Sequence, residues 1–204
     1  HTRSFHVTGV QTCALPISDM LAAINGTPLG WVVMLAPLGF VLALSFGINR
    51  MSAGTAQLLF WAFSALMGLS LASVFAVYTG VSIARVFFIS AATFGAMSLY
   101  GYTTKRNLAQ FSSFLMMGLI GIVIASLVNL FFASSALQFA ISVIGVLVFV
   151  GLTAYDTQRI KEEYYEGHDH ETTSKMALMG ALSLYLNFVN LFSMLMSLLG
   201  NRDE

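Results

Sequence analysis

The chain has 204 residues, and its nine basic and nine acidic side chains give a formal net charge of zero, which argues against a nucleic-acid partner. Hydrophobic residues make up 57% of it and charged ones 9%, with a mean hydropathy of +0.82. A soluble domain carries about 25% charge, so a water-soluble globule is excluded and an integral membrane protein is implied. A single cysteine, Cys13, excludes a disulfide framework and a thiolate metal cluster.

The opening stretch, "HTRSFHVTGVQTCALPIS", differs from everything after it. It lacks the basic, apolar and small-residue order of a secretory signal. The first predicted span runs from about Leu29 to Ile48, with Pro28 near its start and Pro37 at a possible kink. It ends at "GINRMS", which carries Arg50. The second span runs from about Thr55 to Tyr78, and "TGVS" turns the chain into a third, from about Ile83 to Tyr102, that ends at "TTKRN". No charged residue occurs from Asn107 to Tyr155. That stretch is too long for one helix, so "ASSA" around Ser134 and Ser135 is the expected break. It leaves a fourth span to Phe132 and a fifth from Ala136 to Tyr155. The polar segment "DTQRIKEEYYEGHDHETTSK" then leads to a sixth span from about Met176 to Leu199. All of these are expected to be helices, because in lipid each backbone must satisfy its own hydrogen bonds. The alternating ten-residue segments of a β-barrel are absent.

Alternate connections hold Arg50, then Lys105 and Arg106, then Arg159, Lys161 and Lys175, while "TGVS" and "ASSA" hold no basic residue. The positive-inside rule therefore predicts that the three basic connections are cytoplasmic. An outside start for the described spans suggests one more span upstream. Small residues recur within the spans, at Gly118, Gly121 and Ala125 and at Gly145 and Gly151. They are expected to let helices approach closely and to carry no chemistry.

Polar positions in apolar surroundings are the candidates for function. Asp156 directly follows a long neutral span. Placed at a helix C-terminus, it would face the negative end of the macrodipole. Two readings stand: an interfacial carboxylate paired with Arg159 one turn on, or a functional intramembrane carboxylate. In the last span, Ser183, Asn187, Asn190, Met194 and Ser197 recur every three or four residues. Such a stripe is costly against lipid and is expected to face the bundle interior, making this helix central. It either hydrogen-bonds neighbouring helices or lines a polar pathway with Asp156 at its cytoplasmic end. The cluster Glu162, Glu163, Glu166, His168, Asp169, His170 and Glu171 is read as a solvated loop rather than a metal site. "YGYTTKRN" has too few charges for a lipid-headgroup cluster. No hydrolase, zinc-protease or phosphate-loop motif occurs, and no enzymatic activity or cofactor is expected.

"GLTAYDTQRIK" followed by "ALSLYLNFVNLF" resembles the signature pair of the Bax inhibitor family, the transmembrane Bax inhibitor motif proteins, and the likeness extends from roughly Leu29 to Glu204. "FWAFSALMGLSLAS", "YGYTTKR" and "SSALQFAISVIGVLVF" are similar in wording to its alphaproteobacterial members. The resemblance implies an all-α bundle of seven transmembrane helices, about six of them present here, with the last helix central. It also implies a bacterial inner-membrane location and a pH-sensitive calcium leak, with calcium as the transported ion, the lipid bilayer as surroundings and no nucleic acid. A non-conducting regulator that binds membrane proteases or other membrane proteins is the alternative. The family's sensor is a pair of aspartates that share a proton and titrate together. Asp156 matches the first, with calcium as its expected ion, and Arg50 matches a basic residue that pairs with it to close the pore. The second aspartate falls at Asn187, which cannot ionise. Weak or absent pH gating and a lowered calcium affinity are therefore expected, with Ser183 and Asn190 lining the path.

The family's first helix would precede Leu29. Instead "VTGVQTCALPI" resembles the literal translation of a common sequencing-adapter oligonucleotide, and "HTR" reads as part of the same oligonucleotide. Residues 1–18 are accordingly expected to be an adapter-derived segment, to be set aside like any processing scar. Residues 19–204 are expected to form one transmembrane domain.

Overall fold

The structure is a computed structural model and describes residues 47, 51–165 and 170–201. The first predicted span except Gly47, the adapter-like segment, Arg50 and residues 166–169 and 202–204 lie outside the described residues. Among the described residues every regular element is helical. The chain divides into two units, one ending at Val77 and one beginning at Tyr78.

The first unit holds α1 (Ala53–Val77), a helix of 25 residues without a charge. Ser52 starts it, its Oγ accepting from the Thr55 N–H at 3.3 Å and so satisfying one of the open donors of the first turn.

The second unit contains α2 (Gly80–Thr103), a short 3₁₀ turn (Leu108–Phe111), α3 (Ser112–Phe132), α4 (Ser135–Tyr165) and α5 (His170–Leu199). Four stretches in it are long and apolar enough to cross a membrane, namely Gly80–Thr103, Leu108–Asn129, Ser135–Tyr164 and Thr172–Leu199. Thr79 caps α2, accepting from the Ser82 N–H at 3.2 Å. The expected break at "ASSA" is a tight turn. Ala133 takes a left-handed conformation (φ 45°, ψ 38°) and ends α3, and the Ser134 Oγ accepts from Leu137 N–H to start α4. Asn129 ties the two helices together, accepting from Ser134 N–H at 3.0 Å and donating to Gln138 Oε1 at 3.1 Å.

Two expected boundaries are corrected. Helix α4 does not end at Tyr155 but continues through Asp156 to Tyr165, and α5 begins at His170, before Met176. The apolar run marks the edge of the membrane, whereas Gln, Arg, Lys and Glu are good helix formers and carry the helix onward. The Arg159–Glu163 pair (3.3 Å) lies one turn apart along this extension.

Helix α4 packs against α2, α3 and α5 and against the 3₁₀ turn. Helix α5 packs against α4 and α2, and among its described side chains Leu182, Asn187, Val189, Leu191, Phe192, Leu195 and Met196 are buried. The two share the centre of this unit. Phe188 and Phe192 of α5 meet Phe87 edge-on at 5.9 and 6.4 Å, and Phe94 meets Phe188 at 5.5 Å, holding α2 against α5. The closest backbone approach is at Gly101, where a Cβ would collide with the carbonyl of Ala154. Gly118 faces Val148 while Gly151 faces Leu115, a reciprocal small-for-large fit between α3 and α4. Gly121 meets nothing within 4 Å, so that position does not serve the helix contact expected of it.

The outward faces are apolar, as lipid requires: Phe88, Phe114, Met117, Phe131 and Phe132 are all exposed. Polar side chains turn inward, and their hydroxyls bond carbonyls one turn back. Ser90 donates to Val86 O, Thr153 to Phe149 O and Thr157 to Thr153 O. Each of these three hydroxyls thus enters an apolar bundle without an unpaired proton.

Candidate functional site

Asp156 lies on the buried face of α4 and is 5% exposed. It sits well inside the helix rather than at its C-terminus, so the expected clash with the macrodipole's negative end does not occur; that effect fades beyond the last turn. Its Oδ2 accepts two hydrogen bonds from α5, from Ser183 Oγ at 2.5 Å and from Asn187 Nδ2 at 2.8 Å. Ser183 and Asn187 are four residues apart, hence neighbours on one helix face, and both aim at the same oxygen. The other oxygen, Oδ1, has Arg159 Nη1 at 3.9 Å. Arg159 is 40% exposed and turns its Nε toward Glu163. Asp156 thus has a loose ion pair with Arg159 on its more exposed side and two close hydrogen bonds from α5 on its buried side.

The rest of the stripe follows the same antiparallel seam. Asn190 spends its amide on the Leu186 carbonyl at 2.8 Å and borders an open groove of about 360 Å³ with Leu119, Ile122, Ser126, Phe149 and Met194 and the exposed Val123 and Leu127. Met194 lies over Gly145, 3.1 Å from where a Cβ would stand. Ser197 meets Ser142 across the seam at 3.1 Å. Ser183, Asn187 and Ser197 thus bond to α4, while Asn190 does not.

Gln158 is a buried residue that sequence reasoning passed over. Its Nε2 donates to Arg106 O at 2.8 Å and its Oε1 accepts from Leu108 N–H at 2.8 Å. The amide thereby fixes the connection between α2 and α3 two residues from Asp156. Lys161 adds a second hold, donating to Tyr102 O at 2.8 Å with its ammonium 4.7 Å from that ring. The only sequence signal for Gln158 was its place in the motif around Asp156. No group of three or more His, Cys, Asp or Glu side chains able to hold a metal occurs among the described residues.

Comparison with known proteins agrees with this architecture. The family model described as inhibitor of apoptosis-promoting Bax1 matches residues 4–204. An uncharacterized protein of Rickettsia prowazekii is 54% identical over 178 residues, covering 87% of this chain and 75% of that protein. An uncharacterized protein of Caulobacter vibrioides is 48% identical over 201 residues, covering 95% and 80% respectively. The inner membrane protein YbhL of Escherichia coli K12 is 53% identical over 172 residues, covering 83% of this chain and 74% of YbhL. With an all-helical unit, four stretches fit to cross a bilayer and a matched length of nearly the whole sequence, the chain is a membrane protein of the Bax inhibitor family.

Proposed function

We propose that this protein is a non-enzymatic calcium-leak pathway of a bacterial inner membrane, with the Asp156–Ser183–Asn187 node as its cation-binding and gating point. One observation carries the reading: a carboxylate buried between two membrane-spanning helices and held by two donors from α5. Ionisable groups buried among membrane-spanning helices, at the membrane edge included, are expensive and mark ion pathways. Calcium takes oxygen ligands, and Asp156 together with the Ser183 hydroxyl and the Asn187 carbonyl would present oxygens once the present hydrogen bonds open. Arg50 is assigned the closing role by resemblance to the family, and the basic connections are assigned to the cytoplasm by charge. With Asn187 in place of a second carboxylate, gating by a shared proton is weakened.

The test is calcium flux into proteoliposomes containing the purified chain, with Asp156→Asn as the comparison. The expected result is flux that falls on substitution. Flux equal in both, or none in either, would overturn the reading and leave a non-conducting role binding other membrane proteins.

A further inference from the structure

The seam between α4 and α5 has a polar–apolar–polar sequence along its length. At one end stand Asp156, Ser183 and Asn187. Fourteen residues back along α4, about 20 Å at the helical rise, Ser142 is fully buried and meets Ser197 at 3.1 Å. Ser197 also borders a wide opening of about 460 Å³ with Asn129, Ser134, Ser135, Gln138 and Phe139. Its polar side chains are amides and hydroxyls, with no carboxylate. Between the two polar groups Met194 lies over buried Gly145, its thioether arm filling the space left by the absent side chain, and borders the open groove that it shares with Asn190. Phe149 on α4, 4% exposed, borders the same stretch.

We propose that Ser142, Ser197 and the opening around Gln138 form a second, neutral station on the cation path, and that Met194 on Gly145 is an apolar plug separating it from Asp156. This rests on the leak reading above. Apolar constrictions block ions by excluding water, and a flexible thioether can leave such a position without disturbing the backbone. The neutral station would receive a hydrated cation through hydroxyl and amide oxygens with little selectivity, leaving discrimination to the charged node.

Two measurements test this. In calcium-loaded proteoliposomes, Met194→Ser is expected to raise the leak about fivefold or more by wetting the plug, while Met117→Ser on the lipid face of α3 leaves it unchanged. No rise in Met194→Ser, with the unsubstituted leak still dependent on Asp156, would overturn the plug and spare the leak reading. A rise that is insensitive to Asp156→Asn would keep the plug and remove Asp156 from the path. Absence of flux in every variant would overturn both. Independently of transport, a Cys13→Ser background carrying Ser197→Cys should react with a water-soluble thiol reagent. Asn190→Cys should react with reagent added on the Ser197 side only when Met194→Ser is also present. Reaction at position 190 from the Ser197 side with Met194 in place, or none at position 197, would overturn the proposal.

Discussion

Asn187 donates its side-chain amide to the Oδ2 of Asp156 at 2.8 Å, across the seam between the two central helices. The contact is short enough that a carboxylate at position 187 would stand against a carboxylate at 156. Two such groups cannot both carry charge freely and titrate as a coupled pair. Asn187→Asp is therefore expected to make the calcium leak depend more steeply on pH than the unsubstituted chain does, measured in proteoliposomes across the neutral range. Equal steepness in the two proteins would remove the Asp156–187 contact as the pH-sensing element.

The same node contributes to folding. Replacing Asp156 by Leu leaves the Ser183 hydroxyl and the Asn187 amide without the acceptor they share. Side-chain hydrogen bonds in membrane bundles average about 0.6 kcal/mol and reach about 1.7, while leaving buried donors unpaired costs about 1–3 kcal/mol. Asp156→Leu is thus expected to destabilise the bundle more than Ser183→Ala, which removes one donor and strands nothing. Unfolding in detergent with increasing denaturant measures the order, and a Ser183→Ala cost at or above that of Asp156→Leu would contradict it.

Much of this node was legible in the sequence because lipid makes polar side chains conspicuous. Ser183 and Asn187 fall on one helical face, and Asp156 breaks a neutral run. What the pattern misplaced was the helix end. Charge onset after Tyr155 reports where the apolar medium stops, but the backbone of α4 continues ten residues further on side chains that favour helix in water. That error gave Asp156 a terminal position it does not have. Gln158 was not legible, since its partners Arg106 and Leu108 are about fifty residues away in sequence and an amide in a polar stretch gives no periodic signal.

The glycines separate into contacts that matter and ones that do not. At Gly101 an added methyl would meet the Ala154 backbone, which cannot yield as a side-chain end can. Gly101→Ala is expected to force α2 from α4 at a cost of about 1–3 kcal/mol or more. Gly121→Ala, with open space around it, should be neutral or slightly stabilising through helix propensity. The same detergent unfolding measurement reads both, and equal effects would refute the close approach of α2 and α4.

Gln158 offers the sharpest test of how the site is tied to its surroundings. One side chain satisfies the Arg106 carbonyl and the Leu108 N–H, so Gln158→Leu frees both while keeping much of the buried volume. Loss of a hydrogen bond worth about 1.4 kcal/mol is a tenfold change in local opening, and the Leu108 amide should exchange about tenfold faster. Lys105 and Arg106 lie in the same connection, so trypsin should cut there faster in the variant. It should do so only when it reaches the cytoplasmic face, as in inverted vesicles, because positive charge is retained on that side. Unchanged exchange at Leu108 would show that the connection is held by something other than this amide. Cleavage only in right-side-out vesicles would reverse the proposed orientation.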